Sequence, residues 1–252
     1  MPESVVVEGV GKTYASGLEA IRDASFQVAQ GEFLSLLGPS GCGKSTLLLL
    51  IAGLLAPSRG AIRVGGAPVQ GPRPDVGIVF QSPVLLPWRT VLDNVLLPIE
   101  MLKRPRRDWA GRARELLAMA KVDDFAAKLP HELSGGMKQR VSLCRALVHN
   151  PSLLLMDEPF SALDALTRDQ MGLELLRIWE LHRKTVIFVT HSIREAVFLS
   201  DRVLVMSPRP ATIGCETDIK LTRPRSMEMQ ELDEFNRYVG LLRRAIEAGA
   251  RP

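Results

Sequence analysis

The sequence predicts an α/β fold in which helices cover both faces of a mainly parallel β-sheet. The chain has four short apolar runs, at Glu32–Leu37, Val76–Phe80, Leu153–Met156 and Thr185–Val189. The residues that follow them are Gly38, Gln81, Asp157 and Thr190. Near-continuous apolar runs of this length are typical of strands that are buried on both faces. Because ligands of open parallel sheets bind beyond the carboxyl ends of the strands, the polar residues that follow these runs should share one site.

The size and composition of the chain predict one large domain, or a domain with a subdomain. The chain has 252 residues, of which 46% are apolar and 24% charged, so it can bury a sizeable core. This composition is ordinary for a soluble globular protein and excludes the disordered and fibrous classes. The net charge of +4 is too small to identify a partner.

The sequence shows no sign of membrane insertion or secretion. The longest apolar run, residues 47–56, is too short to cross a bilayer, which needs about 20 apolar residues, and it is predicted to be a buried core helix. The first ten residues lack the basic start and the apolar stretch of a secretory signal. The three cysteines have no metal-ligand spacing, so we expect free thiols in a reducing cytosol.

The helical and apolar patterns predict how the chain is organised. Residues 91–149 have helical periodicity and no clear strand, which indicates a helical insertion in the α/β core. Residues 227–248 are predicted to form one amphipathic helix that ends at Gly249. We therefore expect one domain over residues 1–252, with its core at 1–86 and 150–215, a helical subdomain at 87–149 and a C-terminal helical extension at 216–252.

The segment GPSGCGKST at residues 38–46 matches the phosphate-binding pattern G-x-x-x-x-G-K-[ST]. The match lies between an apolar strand and an apolar helix, as this loop requires. The glycines allow backbone N–H groups to surround phosphates, Lys44 places a cation on the β and γ oxygens, and Ser45 offers its hydroxyl to Mg²⁺. The predicted nucleotide-binding residues in this segment are Gly38, Pro39, Ser40, Gly41, Cys42, Gly43, Lys44, Ser45 and Thr46.

Polar residues after three other strands are candidates for the same site. Asp157 could hold Mg²⁺ and the adjacent Glu158 could orient or deprotonate the attacking water, although Asp157 could instead cap a following helix. Gln81 could bind Mg²⁺ or water, and His191 could reach the γ-phosphate. These two residues also have ordinary interpretations, as a solvated turn residue and as a surface or core histidine.

Three further features each allow more than one interpretation. Tyr14, in an early turn, could stack on adenine or could be a tyrosine at the rim. Cys42 could be a small filler beside the helix start, although that position should lower the pKa of its thiol and favour alkylation. The basic run at residues 103–114 could bind nucleic acid or an anionic membrane surface, but a solvated helix face is favoured over both.

The segment LSGGMKQ at residues 133–139 predicts a second helix start suited to an anion. Ser134 is placed to cap a helix whose apolar positions recur at Met137, Val141, Cys144 and Val148. A helix start preceded by a serine and two glycines presents N–H groups and a positive dipole end, as the phosphate loop does. A plain capped helix explains these residues equally well.

With these motifs in this order, the chain resembles the ATP-binding subunit of an ABC transporter. The residues that carry the resemblance are GPSGCGKST (38–46), Gln81, LSGGMKQ (133–139), LLLMDEP (153–159), SALD (161–164) and His191. The resemblance implies a P-loop NTPase core of the RecA-like type, with a helical subdomain and an N-terminal antiparallel β region. It also implies that the protein is an ATPase with ATP and Mg²⁺ as cofactors.

The resemblance assigns a role to each candidate residue. The implied catalytic residues are Lys44, Gln81, Glu158 and His191. The implied ligands of Mg²⁺ are Ser45, Gln81 and Asp157. Besides the phosphate loop, the implied contacts of the nucleotide are Tyr14, Ser134, Gly135, Gly136, Gln139 and Asp164.

The resemblance also implies partners and a location. In this family two copies pair head to tail, and each ATP lies between the phosphate loop of one copy and the LSGGMKQ-type segment of the other. Because the chain has one set of motifs, it should pair with a second copy of itself or with a similar subunit. We also expect membrane permease subunits and, indirectly, an extracytoplasmic solute-binding protein, but no nucleic acid. The expected location is the cytoplasmic face of the inner membrane, as a peripheral subunit.

The residues around Gln81 narrow the resemblance. VFQSPVLLPWRTVLDNV at residues 79–95, with PHELSGG, EAVFLSDRV and RPRS, is similar to the branch that serves nitrate, sulfonate and taurine importers. The predicted function is ATP hydrolysis coupled to import of a small anion or an organosulfur or nitrogen solute. The alternatives are an exporter ATPase and a soluble ABC-type ATPase that acts on DNA or ribosomes, although the sequence has neither the coiled coil or zinc module nor the second motif set of such soluble proteins.

Overall fold

The computed structural model describes residues 3–161 and 163–249, which divide into two compact units. The first unit comprises the chain up to Arg73 and from Leu176 onward, and the second comprises Pro74–Leu175. Ala162 of the SALD segment, and residues 1, 2 and 250–252 of the expected domain, lie outside the described residues. None of the described helices is both long and apolar enough to span a membrane.

The described residues contain ten strands and seven α-helices. The strands are β1 (Glu3–Thr13), β2 (Glu19–Ala29), β3 (Phe33–Leu37), β4 (Arg59–Val64), β5 (Ala67–Pro68), β6 (Val76–Val79), β7 (Leu153–Asp157), β8 (Thr185–Thr190), β9 (Arg202–Met206) and β10 (Ala211–Asp218). The α-helices are α1 (Lys44–Ile51), α2 (Val91–Met101), α3 (Ala110–Met119), α4 (Gly135–Leu147), α5 (Ala165–His182), α6 (Ile193–Leu199) and α7 (Asp233–Gly249). Short 3₁₀ helices lie at Arg106–Asp108, Asp123–Phe125, Pro130–Glu132 and Met227–Glu231.

The first unit is built on a sheet with the strand order β5-β4-β1-β2-β10-β9-β3-β8. β3 lies between β8 and β9 and is parallel to both, and β1 pairs with β2 and β4 in antiparallel fashion. β3 and β8 are buried along their whole length, as their continuous apolar runs predict. The predicted α/β fold with a parallel core and an N-terminal antiparallel region is confirmed.

Aromatic packing stabilises the centre of this sheet. The ring of Phe33, which is fully buried, lies with its centroid 6.0 Å from that of Trp179 and 6.0 Å from that of Phe188. Tilted and edge-on pairs at this distance are favourable because they place ring edges on ring faces. Since Phe33 begins β3 and Phe188 lies in β8, the cluster anchors the two strands that lead to Gly38 and His191.

The apolar run at residues 47–56 is helical only in its first part. The sequence predicts a core helix over the whole run, but α1 ends at Ile51. Gly53 has a φ of 72°, and a Cβ built on it would lie 2.1 Å from the carbonyl oxygen of Gly71. The backbone turns here in a conformation that suits glycine, so the prediction was wrong for residues 52–56.

We expect Gly53→Ala to lower the free energy of unfolding by about 2–4 kcal/mol, because the new methyl group overlaps a backbone carbonyl. The matched control is Gly17→Ala, since Gly17 has a φ of 83° but open space at its Cβ position. That variant should lose only the cost of the left-handed backbone, about 1 kcal/mol. Urea denaturation measures both losses, and equal losses would contradict the steric role of Gly53.

The second unit contains the region with helical periodicity. α2, α3 and α4 lie between β6 and β7 in the chain, and no strand occurs among the described residues between these two. β6 and β7 pair in parallel, with Val79 opposite Met156. The unit is longer than the helical subdomain expected at residues 87–149, because it also includes β6, β7 and the first part of α5.

The C-terminal segment contains two helical pieces where the sequence predicts one. The 3₁₀ helix Met227–Glu231 ends at Leu232, which has an extended ψ of 145°, and α7 then begins at Asp233. The predicted single helix over residues 227–248 was therefore wrong. Acidic residues in the first turn favour a helix start at this point, because they complement the positive dipole end. Phe235 and Leu242 are the residues through which α7 is most deeply buried.

Candidate functional site

The phosphate loop connects β3 to α1. Gly43 precedes α1 with a φ of 126°, and a Cβ on it would lie 3.1 Å from the carbonyl oxygen of Ala20, so a side chain would be strained there. No side chain caps the start of α1. N–H groups at an uncapped helix start, together with the helix dipole, form a ready site for an anion. Ser40, Gly41 and Ser45 are exposed, whereas Pro39, Gly43 and Thr46 are half-buried.

Lys44 lies inside this loop. Its side chain is 4% exposed, and its Nζ donates hydrogen bonds to the carbonyl oxygens of Gly38 and Pro39, both at 2.9 Å. A buried ammonium group needs several acceptors, and phosphate oxygens are stronger acceptors than carbonyl oxygens because they are charged. The position of Lys44 therefore suits a cation that binds phosphate.

Tyr14 lies beside the start of α1. Its hydroxyl is 3.0 Å from Oγ1 of Thr46, and the ammonium group of Lys12 lies 5.6 Å from the centre of its ring. The hydroxyl contact fixes the ring next to the phosphate loop, where it is half-buried. This position is compatible with the predicted stacking on adenine, because an aromatic face beside a phosphate site can hold a base.

Arg209 is a residue of this region that sequence reasoning missed. Its Nε and Nη2 both donate to the carbonyl oxygen of Gly41, at 3.0 and 2.5 Å. The side chain therefore holds the outer side of the phosphate loop from the segment between β9 and β10. That segment is itself ordered by a hydrogen bond from the backbone N–H of Thr212 to Oγ of Ser207, at 3.0 Å. No local sequence signal points to Arg209, which lies 168 residues from Gly41.

His191 lies at the same sheet edge as the phosphate loop. Leu37 of β3 is opposite Thr190 of β8 in the parallel register, so Gly38 and His191 follow their strands side by side. His191 is exposed, and the next residue, Ser192, caps α6 by accepting a hydrogen bond from the N–H of Glu195. The structure thus brings together Tyr14, the phosphate loop and His191 within the first unit.

Gln81, Asp157 and Glu158 lie at one edge of the second unit. Because Val79 is opposite Met156 in the parallel register, the residues that follow β6 and β7 meet there. Ser161 links Gln81 and Glu158. Its Oγ accepts a hydrogen bond from Nε2 of Gln81 at 3.5 Å and donates one to the carbonyl oxygen of Glu158 at 3.0 Å. Ser161 is a second residue that sequence reasoning did not assign to the site.

The backbone at Glu158 is strained. Its φ of 43° lies in the left-handed region, which costs a residue with a side chain about 1–3 kcal/mol and is found mainly at functional sites. Asp157 ends β7, and the next helix, α5, begins only at Ala165. The alternative in which Asp157 caps a following helix is therefore excluded, and its half-buried carboxylate stays at the sheet edge.

The LSGGMKQ segment forms a capped helix start that opens onto a pocket. Oγ of Ser134 accepts a hydrogen bond from the N–H of Met137 at 3.3 Å, as an N-cap does. A Cβ on Gly136 would lie 3.2 Å from Cγ2 of Thr167, so the helix start lies close to α5. The pocket has a volume of about 420 Å³, and its lining includes Ser134, Gly135, Gly136, Arg140 and Asp164.

Asp164 and Gln139 have different surroundings. Oδ1 of Asp164 accepts a hydrogen bond from the N–H of Thr167 at 3.0 Å, and this bond holds the pKa of the carboxyl below its usual value. Asp164 therefore caps α5 and also lines the pocket. Gln139 was expected to contact the nucleotide, but its side chain is 4% exposed and lies among apolar residues that include Leu143 and Phe160. This position makes Gln139 a packing residue of the second unit.

The loop that follows Gln81 is held by two polar side chains. Asn94 of α2 is fully buried, and it accepts a hydrogen bond from the N–H of Leu86 at 2.7 Å while donating to the carbonyl oxygens of three loop residues. Arg145 of α4 donates to the carbonyl oxygens of Pro83 and Val84, both at 2.7 Å. The helix that begins at LSGGMKQ is therefore tied directly to the loop that begins at Gln81.

The prediction that the thiol of Cys42 is reactive is wrong. The sequence predicts a lowered thiol pKa at the helix start, but Cys42 is 2% exposed, and burial raises the pKa of its thiol despite the opposing charges of Lys44 and Arg209. Desolvation disfavours the charged thiolate more than the nearby cations favour it. The interpretation of Cys42 as a small filler beside α1 is the one that fits. All three cysteines are free thiols, as the sequence predicts.

Alkylation by a maleimide at pH 8 should modify Cys215 well before Cys42 and Cys144. Cys215 is half-exposed, whereas burial raises the pKa of the other two thiols, that of Cys144 to about 12. Peptide mass spectrometry over a time course measures the order of labelling. All three thiols should react together in denaturant, which is the control, and preferential labelling of Cys42 in the native protein would contradict its burial.

Arg209→Ala should weaken ATP binding roughly fivefold, because loss of the two hydrogen bonds to Gly41 costs about 1 kcal/mol at an exposed position. Arg209→Lys keeps the charge but offers no planar fork, so it should restore only part of the affinity. The control is Arg243→Ala, which removes an exposed arginine from α7. Titration with a fluorescent ATP analogue gives the Kd values, and unchanged affinity in Arg209→Ala would contradict this role.

Comparison with known proteins identifies the family. The family model described as "ABC transporter" matches residues 21–161, more than half of the chain. The taurine import ATP-binding protein TauB of Rhizobium johnstonii is 50% identical over 210 residues, which cover 83% of this chain and 80% of the relative. The nitrate import ATP-binding protein NrtD of Synechococcus elongatus is 43% identical over 245 residues, which cover 94% of this chain and 88% of the relative.

A solved structure extends this similarity to the fold. The dimeric post-hydrolysis structure of an ATP-binding cassette bound to ADP and Pi superposes with a TM-score of 0.76 and 32% identity, covering 86% of this chain and 100% of that one. The resemblance that the motifs predict is thereby confirmed. The chain belongs to the ABC transporter family and is one of its ATP-binding, ATP-hydrolysing subunits.

Proposed function

We propose that this importer subunit hydrolyses ATP to drive uptake of a small anion or a small organosulfur or nitrogen solute, such as a nitrate-like or taurine-like compound. The relatives named for taurine import and for nitrate import support this class, because both solutes are small and carry an oxyanion group. The choice of solute belongs to other subunits, since the motifs of this chain all serve the nucleotide. No observation favours an exporter ATPase or a soluble ABC-type ATPase.

The pocket at the start of α4 is the main observation for ATP hydrolysis in a pair of subunits. Its lining includes a serine hydroxyl, two glycines, a guanidinium group and Asp164, together with Met137, Leu163 and Thr167, and all of these residues belong to the second unit. The hydroxyl, the backbone N–H groups and the guanidinium group can donate to an anion, whereas the carboxylate of Asp164 can only accept, and no phosphate-loop residue lies in this lining. We infer that the phosphate comes from a nucleotide on a second copy of this chain, paired head to tail. The dimeric state of the solved relative with ADP and Pi supports this arrangement.

The proposed Mg²⁺ ligands are chemically suitable. Ser45, Gln81 and Asp157 offer a hydroxyl, an amide oxygen and a carboxylate, and Mg²⁺ prefers such oxygen ligands together with phosphate and water. The hydrogen bond to Ser161 uses the amide nitrogen of Gln81, so its amide oxygen would be the atom available to Mg²⁺. Among the described residues no group of three or more His, Cys, Asp or Glu could hold a metal ion. When bound, Mg²⁺ would neutralise charge on the phosphate oxygens.

The remaining site residues have proposed roles in hydrolysis. Lys44 stabilises negative charge on the β and γ oxygens. Glu158 orients the attacking water and accepts its proton. The strained backbone at this residue sets the direction in which its side chain leaves the chain. His191 donates a hydrogen bond toward the γ-phosphate. Ser134, Gly135 and Gly136 complete the site of the second copy by their position at a helix start.

The loop after Gln81 is the proposed contact with a membrane permease subunit. Val84 and Trp88 in this loop are 60% and 73% exposed, and two large apolar side chains exposed on one loop support a protein contact there. Because Arg145 connects the loop to α4, a permease on this surface would respond to the position of the LSGGMKQ segment. Because of this contact, we propose that the protein lies at the cytoplasmic face of the inner membrane as a peripheral subunit. We propose the helical region at residues 87–149 as a subdomain that carries Trp88 of this surface, whereas Val84 lies just before it.

Glu158→Gln tests the proposed function. We expect it to bind ATP with normal affinity and to reduce hydrolysis by about 10²-fold or more, because the amide cannot accept the proton of water. ATP should then hold the variant as a stable dimer, measured by light scattering with size-exclusion chromatography. A variant that remains monomeric with ATP would contradict the head-to-tail site.

Two further variants separate the halves of the site. Lys44→Ala should lose ATP binding and therefore should not dimerise in the Glu158→Gln background. Ser134→Arg should keep ATP binding at the phosphate loop but lose both dimerisation and hydrolysis, because a long cation would fill the pocket. Normal hydrolysis by either variant would contradict the assigned roles.

A further inference from the structure

The C-terminal segment, Ile219–Gly249, packs against α6, the short helix that follows His191. The segment leaves β10, passes through two arginines at residues 223 and 225, and ends in α7. Its contacts with α6 fall at both ends of that helix. All of these residues belong to the first unit, so the contacts lie within one compact body.

Two arginines hold the C-terminal end of α6. Arg225 is 5% exposed, and its Nη1 donates to the carbonyl oxygens of Val197 and Phe198 at 2.9 and 2.8 Å. Arg223 donates from Nη2 to the carbonyl oxygen of Leu199 at 2.8 Å, and its Nε and Nη2 also reach Oδ1 of Asp201. The last carbonyl oxygens of a helix have no partner within it, so these arginines satisfy groups that would otherwise be left to water.

A third arginine fixes the first turn of α6 to the same segment. Arg194 donates from Nη2 to the carbonyl oxygen of Gln230 at 3.1 Å, and its guanidinium group lies 4.9 Å from the centre of the Phe235 ring. Phe235 is fully buried in α7, so this cation rests on a rigid aromatic face. α6 is thereby held from both ends by one segment.

The residues on either side of His191 are tied to α6. Oγ1 of Thr190 donates to Oε2 of Glu195 at 2.7 Å and accepts a hydrogen bond from the N–H of Ser192 at 2.9 Å. Oγ of Ser192 accepts from the N–H of Glu195 at 3.3 Å. The backbone that carries His191 therefore moves with α6, because both of its neighbours are bonded into the first turn of that helix.

We propose that the C-terminal segment positions His191 for ATP hydrolysis by holding α6, with Arg194, Arg223 and Arg225 as positioning residues. This inference rests on the role of His191 in the proposed function. The burial of Arg225 supports it, because a buried guanidinium group costs free energy and needs a compensating set of acceptors. Here Nη1 donates to two carbonyl oxygens at the end of α6, and Nη2 lies 3.5 Å from the carbonyl oxygen of Ile219, so the guanidinium group joins the helix end to the C-terminal segment.

Arg194→Ala tests the inference with little risk to folding, because this residue is exposed. We expect an unchanged Kd for ATP and a fall of about fivefold or more in the rate of hydrolysis, since a small displacement of a site residue slows the reaction without removing a binding contact. Arg225→Lys keeps the cation but not the planar set of donors. It should also leave the Kd for ATP unchanged and lower the rate of hydrolysis. The control is Arg237→Ala, an exposed arginine of α7 that makes none of the contacts described above.

A double variant of Arg194→Ala and His191→Ala distinguishes a positioning role from a purely structural one. Single-turnover rates with labelled ATP resolve the residual hydrolysis of His191→Ala. If Arg194 acts through His191, adding Arg194→Ala to His191→Ala should change this residual rate by less than roughly twofold. Thermal unfolding without nucleotide checks that each variant is folded, and Arg194→Ala remains informative if Arg225→Lys does not fold.

Different results would overturn different statements. If His191→Ala loses hydrolysis while Arg194→Ala and Arg225→Lys keep the normal rate, the positioning role is wrong and the proposed function stands. The inference would also be overturned if Arg194→Ala lowered the rate of hydrolysis in the His191→Ala background as much as it does in the unmodified protein. The segment would then affect hydrolysis by a route other than His191. If His191→Ala hydrolyses ATP at the normal rate, the proposed role of His191 fails and this inference fails with it.

Discussion

The nucleotide site depends on the start of α1, where no side chain caps the backbone N–H groups. An anion is the natural partner of such a helix start, because it satisfies the N–H groups and complements the dipole. The surrounding structure presents this start in a fixed orientation. Buried aromatic rings anchor β3, and Arg209 holds the outer side of the loop by its bonds to Gly41. The start of α4 differs, because Ser134 caps it and a pocket opens in front of it.

A second physical feature recurs around the site: arginines that donate to backbone carbonyl oxygens. Arg209 holds the phosphate loop, Arg145 holds the loop after Gln81, and Arg225 holds the end of α6. In each case the carbonyl belongs to a segment outside regular structure or to a helix end, where no helix or strand bond is available to it. A guanidinium group suits this task because it has five donors in a rigid plane. Loops that must keep a defined shape are thereby fixed by side chains far away in the sequence.

The sequence predicted the fold class and the motifs well, because both depend on local patterns. Continuous apolar runs marked β3, β6, β7 and β8 to within one residue, although they did not mark β9, and Ser134 was correctly predicted as an N-cap. The predictions failed where a contact between distant residues decided the outcome. α1 ends early because Gly53 must pass the backbone of Gly71, and the thiol pKa of Cys42 is raised because folding buries it. The break at Leu232 had no signal in the helical periodicity of the C-terminal segment.

What the sequence by itself determined is the set of groups available for chemistry and the order in which they occur: the phosphate loop, Gln81, LSGGMKQ, the Asp157–Glu158 pair and His191. Their residue types and spacing carry this information because strand, loop and helix signals are local. The tertiary structure alone decided which distant side chains support those groups, such as Arg209 at the loop and Arg225 at α6. It decided this because a hydrogen bond between residues far apart in the chain depends on the folded path between them, and no local pattern encodes that path.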